Sequence, residues 1–235
     1  MIEKGQGLLS SLSGRLIVSC QARVGWPMYG TQIMAAFARA AMEGGAAGIR
    51  ATGPDNISAI KERVDLPIIG INKQFSDGYD VYITPTWEAA REILEVGVDI
   101  IALDATPRRR PGDEQTADIV ARIREEYPNV LVMGEISTLD EARAALPLGF
   151  DLVSTTLAGY TVESSDVTRA AIGLVHDITQ ITDTPVIAEG RVRCEQDAVD
   201  MLNAGALAVV VGTSITRPEV ITNRYVEALA RRGEQ

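Results

Sequence analysis

Eight short apolar runs, each followed by a stretch of helical periodicity, constrain the fold of this chain more than any other feature. They span residues 16–20, 46–49, 68–71, 100–103, 130–133, 152–154, 186–188 and 207–211. Each is β-branched or apolar throughout, without the alternation of a half-solvated strand, as parallel strands covered on both faces require. Between them lie amphipathic segments such as 114–127, which places Ile119, Val120, Ile123 and Tyr127 on one helical stripe. Small-residue and glycine signals recur before the strands, as in EGGAAGI, EVGVDII, PLGFDLV and NAGALAVVV. Glycine there suits the left-handed position that closes a helix, and the spacing amounts to one βα unit per ~25–30 residues. Eight such units in 235 residues predict an α/β fold, a (β/α)8 TIM barrel. A doubly wound open sheet is the alternative; eight units are many for it, and no GxGxxG follows the first strand. The chain reads as one barrel domain over residues 1–235, with 1–14 as an N-terminal extension.

Charge and rare residues exclude several functions. There are 22 basic and 32 acidic side chains, a formal charge of −10, which argues against nucleic-acid binding. The short PRRRP cluster at 107–111 is expected to close a site or bond across the barrel top. One histidine, His176, cannot build a multi-histidine metal site. It falls in a helical stretch at 166–180, away from any strand end, and is assigned to surface or packing. Cys20 and Cys194 form no CxxC pair and read as buried, inert thiols in a reducing cytosol. No secretion signal is evident and no apolar run approaches the ~20 residues of a membrane span, so a soluble, cytoplasmic protein is expected.

In a barrel, residues at the C-terminal strand ends converge on one site. Those following the runs are Gln21, Arg50, Lys73, Asp104, Glu135, Thr155 with Thr156, Glu189-Gly190-Arg191 and Gly212-Thr213-Ser214. Many would serve as helix caps, but Arg50, Lys73, Glu189 and Arg191 are longer than caps require. The glycines after strands seven and eight let backbone N–H groups approach an anion, which points to phosphate binding by Gly190, Arg191, Gly212 and Thr213, with Arg217 in reach. Of the three lysines, Lys4 lies in an N-terminal segment read as flexible and Lys61 on a charged helix. Lys73 follows a buried strand and enters the barrel mouth beside Arg50. Desolvation and a neighbouring guanidinium would lower its pKa, making it a candidate base, unless an ion pair with Glu189 or Glu135 claims it. The same lysine would also suit a Schiff-base aldolase, and the phosphate loops a non-catalytic phosphosugar-binding barrel.

Taken in order, SCQA (19–22), GIRATGPDNI (48–57), LPIIGINK (66–73), VYITPT (81–86), DIIALDATPRRRP (99–111), GFDLVSTTLAGYT (149–161), PVIAEGRV (185–192) and VVVGTSITRP (209–218) resemble the N-acylglucosamine-6-phosphate (N-acetylmannosamine-6-phosphate) 2-epimerases of sialic-acid catabolism. The resemblance implies a (β/α)8 barrel without metal or other cofactor, acting on a phosphorylated amino sugar and interconverting N-acetylmannosamine 6-phosphate and N-acetylglucosamine 6-phosphate. It carries the catalytic lysine onto Lys73, the site glutamate onto Glu189, substrate contacts onto Gln21 and Arg50, and the phosphate loops onto Gly190, Arg191, Gly212 and Thr213, with Arg217 nearby. Thr155 is grouped with the substrate contacts. Where the family reads MADIST, this chain has MGEIST, so an aspartate that the family places in the site is replaced by Glu135, after Gly134 instead of alanine, and Glu135 is grouped with the substrate contacts. A homodimer is a further expectation.

Overall fold

A computed structural model describes residues 2–232, with side chains from residue 5 onward; the Lys4 side chain lies outside the described residues. Eight parallel strands close into a barrel in sequence order: β1 (Arg15–Cys20), β2 (Gly48–Thr52), β3 (Ile68–Ile71), β4 (Ile100–Asp104), β5 (Leu131–Glu135), β6 (Leu152–Ser154), β7 (Val186–Glu189) and β8 (Ala208–Val211). Closure is made by β1 against β8, with Ile17 opposite Val210. The helices are α1 (Ile2–Leu12), α2 (Thr31–Glu43), α3 (Pro54–Lys61), α4 (Trp87–Val96), α5 (Thr116–Glu126), α6 (Leu139–Ala145), α7 (Ile172–Thr179), α8 (Glu195–Asn203), α9 (Thr213–Thr216) and α10 (Pro218–Arg231).

Period-two geometry sorts each strand into two apolar faces. Inward residues such as Ile17, Ile69, Ile71, Ile100, Ala102, Met133, Leu152, Ile187 and Val210 form one cluster inside the barrel. Outward residues such as Val18, Ile49, Ile101, Leu103, Val132, Val153 and Val209 form a second cluster beneath the helices. This is why the runs show no alternation. The N-terminal segment is not a loose extension: α1 buries Leu12 in the inner cluster and packs Leu8 and Leu9 against it.

Six strands differ from the sequence runs at one or both ends, and in two of them the difference matters. Strand β2 begins and ends later than the run at 46–49, and β5 runs on to Glu135. Arg50 therefore lies within β2 and Glu135 ends β5, and parity turns both side chains inward. An apolar run marks burial in apolar surroundings, so a charged residue buried against another charge falls outside it. Gly45, Gly97, Gly149 and Gly205 all take positive φ where helices give way to strands. Gly70 answers a different need: a Cβ there would stand 2.6 Å from Ile93 and Val98, so glycine lets α4 approach β3.

Strands β3 and β4 pair only at Ile69–Ile100 and Gly70–Ile101. Beyond that point the chain after β3 folds back between them. Lys73 and Ile83 form an antiparallel bridge, Thr84 N donates to Asn72 O (2.8 Å), and Asp104 N donates to Ile83 O (3.1 Å). Buried Thr84 takes φ +46°, held there by its hydroxyl, which donates to Ala102 O (2.6 Å) and accepts from Asn72 N (3.1 Å). This wedge shapes the wall beside Lys73.

Candidate active site

The C-terminal ends of the strands enclose a cavity of about 580 Å³. Gln21, Arg50, Lys73, Glu189, Gly190, Arg191, Gly212, Thr213 and Arg217 all line it. Inward parity explains Gln21, Arg50, Lys73, Glu189, Arg191 and Gly212, which continue the inner faces of β1, β2, β3, β7 and β8 by even steps, while Gly190, Thr213 and Arg217 come from the turns after β7 and β8. The sequence reading had not singled out Arg23, Trp26, Tyr82, Tyr160, Arg193 and Arg224, which also line the cavity. They come from loops and α10, where no periodicity signals which way a side chain turns.

At the floor, Arg50 is 1% exposed and Glu135 fully buried, and the Arg50 guanidinium donates to Glu135 Oε1. Arg50 Nε also lies 3.2 Å from Glu189 Oε2, without hydrogen-bond alignment. Burial alone would lower the Arg50 pKa, but the Glu135 and Glu189 carboxylates more than reverse this and hold it charged. Glu135, expected as a substrate contact, is not among the cavity-lining residues; it is the buried counter-ion beneath Arg50. Thr155 is likewise turned away. Its hydroxyl donates to Glu189 O (2.9 Å) and accepts from Glu189 N (3.1 Å), tying β6 to β7. The inward residue is Thr156, whose hydroxyl donates to Glu189 Oε2 (3.1 Å).

Among the described residues Lys73 makes no ion pair; only its backbone is anchored, N donating to Thr52 Oγ1 (3.1 Å). Burial first, and then the Arg50 charge, lower its pKa from 10.5 to about 8, against the opposing pull of Glu189 and Glu135. Glu189 is shifted the other way. Burial raises its carboxyl, opposed by Arg50, with Glu135 adding to the rise. An amine lowered toward neutrality and a carboxyl raised from its usual range share one cavity, the arrangement that acid–base chemistry needs. Gln21 Nε2 donates to Ser19 Oγ (2.7 Å), and its buried Oε1 has no partner.

The other end of the cavity is cationic. Arg191 sits at φ +56°, donates to Gly159 O, and lies 4.7 Å from the Tyr160 ring centre, while its buried Nε is unpartnered. Gly159 must be glycine: a Cβ would stand 2.2 Å from Arg191 Nε and 2.3 Å from Val167 O. Arg217 pairs with Glu219 (2.7 Å) and covers Trp26 at 3.8 Å. Arg224 from α10 donates to Arg193 O (3.1 Å) and has no carboxylate partner among the described residues. A positive pocket thus exists within a chain of net charge −10.

A family model described as "Putative N-acetylmannosamine-6-phosphate epimerase" matches residues 34–231. A Caldanaerobacter subterraneus subsp. tengcongensis protein, named "Putative N-acetylmannosamine-6-phosphate 2-epimerase", is 46% identical over 225 residues, covering 96% of this chain and 95% of its own. A Listeria monocytogenes protein of the same name is 42% identical over 233 residues, 98% of each chain. The chain belongs to the N-acetylmannosamine-6-phosphate 2-epimerase family. The solved N-acetylmannosamine-6-phosphate 2-epimerase of Clostridium perfringens superposes with a TM-score of 0.90 at 43% identity, over 94% of this chain and 95% of that one.

Within this family framework the MGEIST departure has a packing correlate. Gly134 faces outward, and a Cβ there would stand 2.8 Å from the Phe150 ring, which occupies that space. The remaining polar calls resolve away from the cavity. Arg108 pairs with Asp104 (2.7 Å), and buried Arg110 donates to Asp104 O and to Thr116 Oγ1 (3.1 Å). Arg110 also donates to Pro85 O (3.5 Å) and Arg109 lies 5.7 Å from the Tyr79 ring centre, so the arginine cluster bonds across the barrel top to the preceding loop and does not line the cavity. His176 is exposed on α7, which starts later than the stretch expected at 166–180. Lys61 is exposed, and its amine donates to Val96 O (2.7 Å) and Gly97 O (2.6 Å), capping α4. Cys20 is buried, and burial pushes its thiol up to about 12; Cys194, expected to be buried, is exposed at the start of α8. Among the described residues no group of three or more His, Cys, Asp or Glu side chains could hold a metal ion, and no helix is long and apolar enough to cross a membrane.

Proposed function

We propose that this chain interconverts N-acetylmannosamine 6-phosphate and N-acetylglucosamine 6-phosphate by removing and returning the proton at C2, with Lys73 as base and Glu189 as acid. The observation that carries the assignment is the unpaired, half-buried Lys73 amine, lowered to about 8, sharing one cavity with a Glu189 carboxyl raised by burial. Strands β3 and β7 are four apart in a closed eight-stranded barrel, so Lys73 and Glu189 approach from opposite sides of the mouth. Inversion at carbon demands two such faces.

In the open-chain sugar the C2 proton is acidic because its electron pair delocalises onto the C1 aldehyde oxygen. Neutral Lys73 takes that proton, an enolate forms, and protonated Glu189 returns a proton to the other face of C2. Arg50 and Gln21 Nε2 are the nearby donors for the developing charge on oxygen. The sugar phosphate is held by Gly190, Arg191, Gly212, Thr213 and Arg217, which fixes C2 against the amine using binding energy remote from the reaction. The free cysteines and the absence of a membrane-spanning helix among the described residues support a cytoplasmic enzyme. A homodimer is supported by α10, which buries no residue and exposes Tyr225 (71%), Val226 and Leu229 (68%) on one stripe.

Nuclear magnetic resonance of N-acetylmannosamine 6-phosphate incubated with the protein in heavy water tests the reaction. Deuterium must appear at C2 of the product, and N-acetylglucosamine 6-phosphate formed without label would overturn the mechanism. Borohydride must trap no substrate–Lys73 adduct.

A further inference from the structure

Three consecutive buried hydroxyl residues, Ser154, Thr155 and Thr156, close β6 beside Glu189, the last residue of β7. Outward-facing Thr155 fastens the Glu189 backbone through its N and O. Ser154 and Thr156 share the inward parity of Leu152 and stand next to each other on the inner face. Their hydroxyl oxygens are 2.8 Å apart, and Thr156 Oγ1 lies 3.1 Å from Glu189 Oε2. A hydroxyl carries one proton, and an ionised carboxylate only accepts. The Thr156 proton therefore goes to Glu189, and the proton between the two hydroxyls belongs to Ser154. The pair has one direction, from Ser154 to Thr156 to Glu189 Oε2. Ser154 is fully buried, and its hydroxyl has no other partner among the described residues.

We propose that Ser154 and Thr156 are positioning residues for Glu189: together they hold Oε2 and leave the transferable proton on Oε1, the oxygen that meets the cavity. The inference rests on the reading of Glu189 as the acid of the epimerase. The terminal torsion of a carboxyl is broad and nearly two-fold, so without a fixed partner either oxygen is free to face the substrate. Here Oε2 receives the Thr156 proton and lies 3.2 Å from Arg50 Nε, and both a donor and a cation disfavour a second proton there. Oε1 makes no hydrogen bond among the described residues and is open to the cavity that Glu189 lines. Arg50, Glu135 and Lys73 also face the carboxyl, from β2, β5 and the segment after β3, but none makes an aligned hydrogen bond to it. Only the hydroxyl pair fixes its rotation.

The test separates the two faces of C2. From N-acetylmannosamine 6-phosphate in heavy water, Lys73 removes the C2 proton and exchanges it with solvent. It then returns deuterium to the same face, or Glu189 deuterates the other. Initial rates by nuclear magnetic resonance give both outcomes, as label in recovered substrate and as product. In Thr156→Val the product rate should fall about 10–100-fold, part of what a placed acid supplies, while label in recovered substrate holds within about threefold and shows the variant folded. From N-acetylglucosamine 6-phosphate, where Glu189 is the base, both rates should fall together. Thr156→Ser should restore both, and Ser154→Ala should shift them as Thr156→Val does, by a smaller factor. Label and product falling by one factor from N-acetylmannosamine 6-phosphate would make the pair a packing or binding feature and overturn the proposal. Unchanged rates, or a serine that does not rescue, would overturn it too. A wild-type protein that epimerises neither sugar phosphate would instead overturn the epimerase reading beneath it.

Discussion

Replacing Lys73 by methionine should abolish turnover and at the same time stabilise the fold. Burial and the Arg50 charge lower the amine from 10.5 to about 8. The unfolded chain therefore binds this proton more tightly than the folded one. Below pH 8 both states are protonated and the folded state bears the full penalty. Between pH 8 and 10.5 the penalty shrinks, and above 10.5 it is gone. Two and a half pH units at about 1.36 kcal/mol each give about 3 kcal/mol, with the attraction of Glu189 and Glu135 already contained in that value. Methionine has similar length and no charge to desolvate. Lys73→Met should thus melt about 6–12 °C above wild type at pH 7, for a chain of this size. Thermal unfolding from pH 6 to 10.5 is the assay. The gap should hold constant up to about pH 8 and close toward pH 10.5. A variant no more stable than wild type, or a gap independent of pH, would refute the claim that the folded state strains this amine.

Because neutral Lys73 and protonated Glu189 are both required, kcat/KM should be bell-shaped with pH, the lowered amine setting one limb near pH 8, measured by coupled assay of the free enzyme; a flat profile across pH 6–9 would exclude Lys73 as a titrating group. Gly134→Ala should cost about 1–3 kcal/mol in chemical denaturation because its Cβ meets the Phe150 ring, and Phe150→Leu in the same chain should recover part of the loss. Tyr225→Ser with Leu229→Arg on α10 should convert a dimer to a monomer in sedimentation velocity; unchanged assembly would show that this stripe is not the contact.

The strand ends illustrate how far residue pattern carries. Lys73, Glu189, Gly190, Arg191, Gly212 and Thr213 were legible as cavity-lining residues because each stands just beyond or at the end of an apolar run, and a barrel must bring such ends together; Arg217 was legible from its nearness in sequence to the last of them. Thr155 and Glu135 lie off the cavity lining for different reasons. Glu135 has inward parity but is covered by Arg50, its ion-pair partner from another strand. For Thr155 the reason is parity, which decides which side a strand residue faces and which an apolar run with fuzzy bounds leaves open by one step. Thr155 thus points into the β6–β7 seam while Thr156 meets Glu189. Arg23, Trp26 and Tyr82 were not legible, because loops carry no period.

By itself the sequence determined that eight apolar strands alternate with helices, that a lone candidate amine ends one of them, and that glycines follow the last two. Burial on both faces marks such runs as strands of a parallel sheet, and eight of them favour closure over an open sheet. Only the tertiary structure decided which charges meet. Arg50 is held between Glu135 and Glu189, and Lys73 is left without a partner, because closure sets strands that are distant in sequence across one cavity, out of water. In that low-dielectric setting the same side chains that would be ordinary surface charges acquire shifted pKa values, and with them the capacity to move a proton.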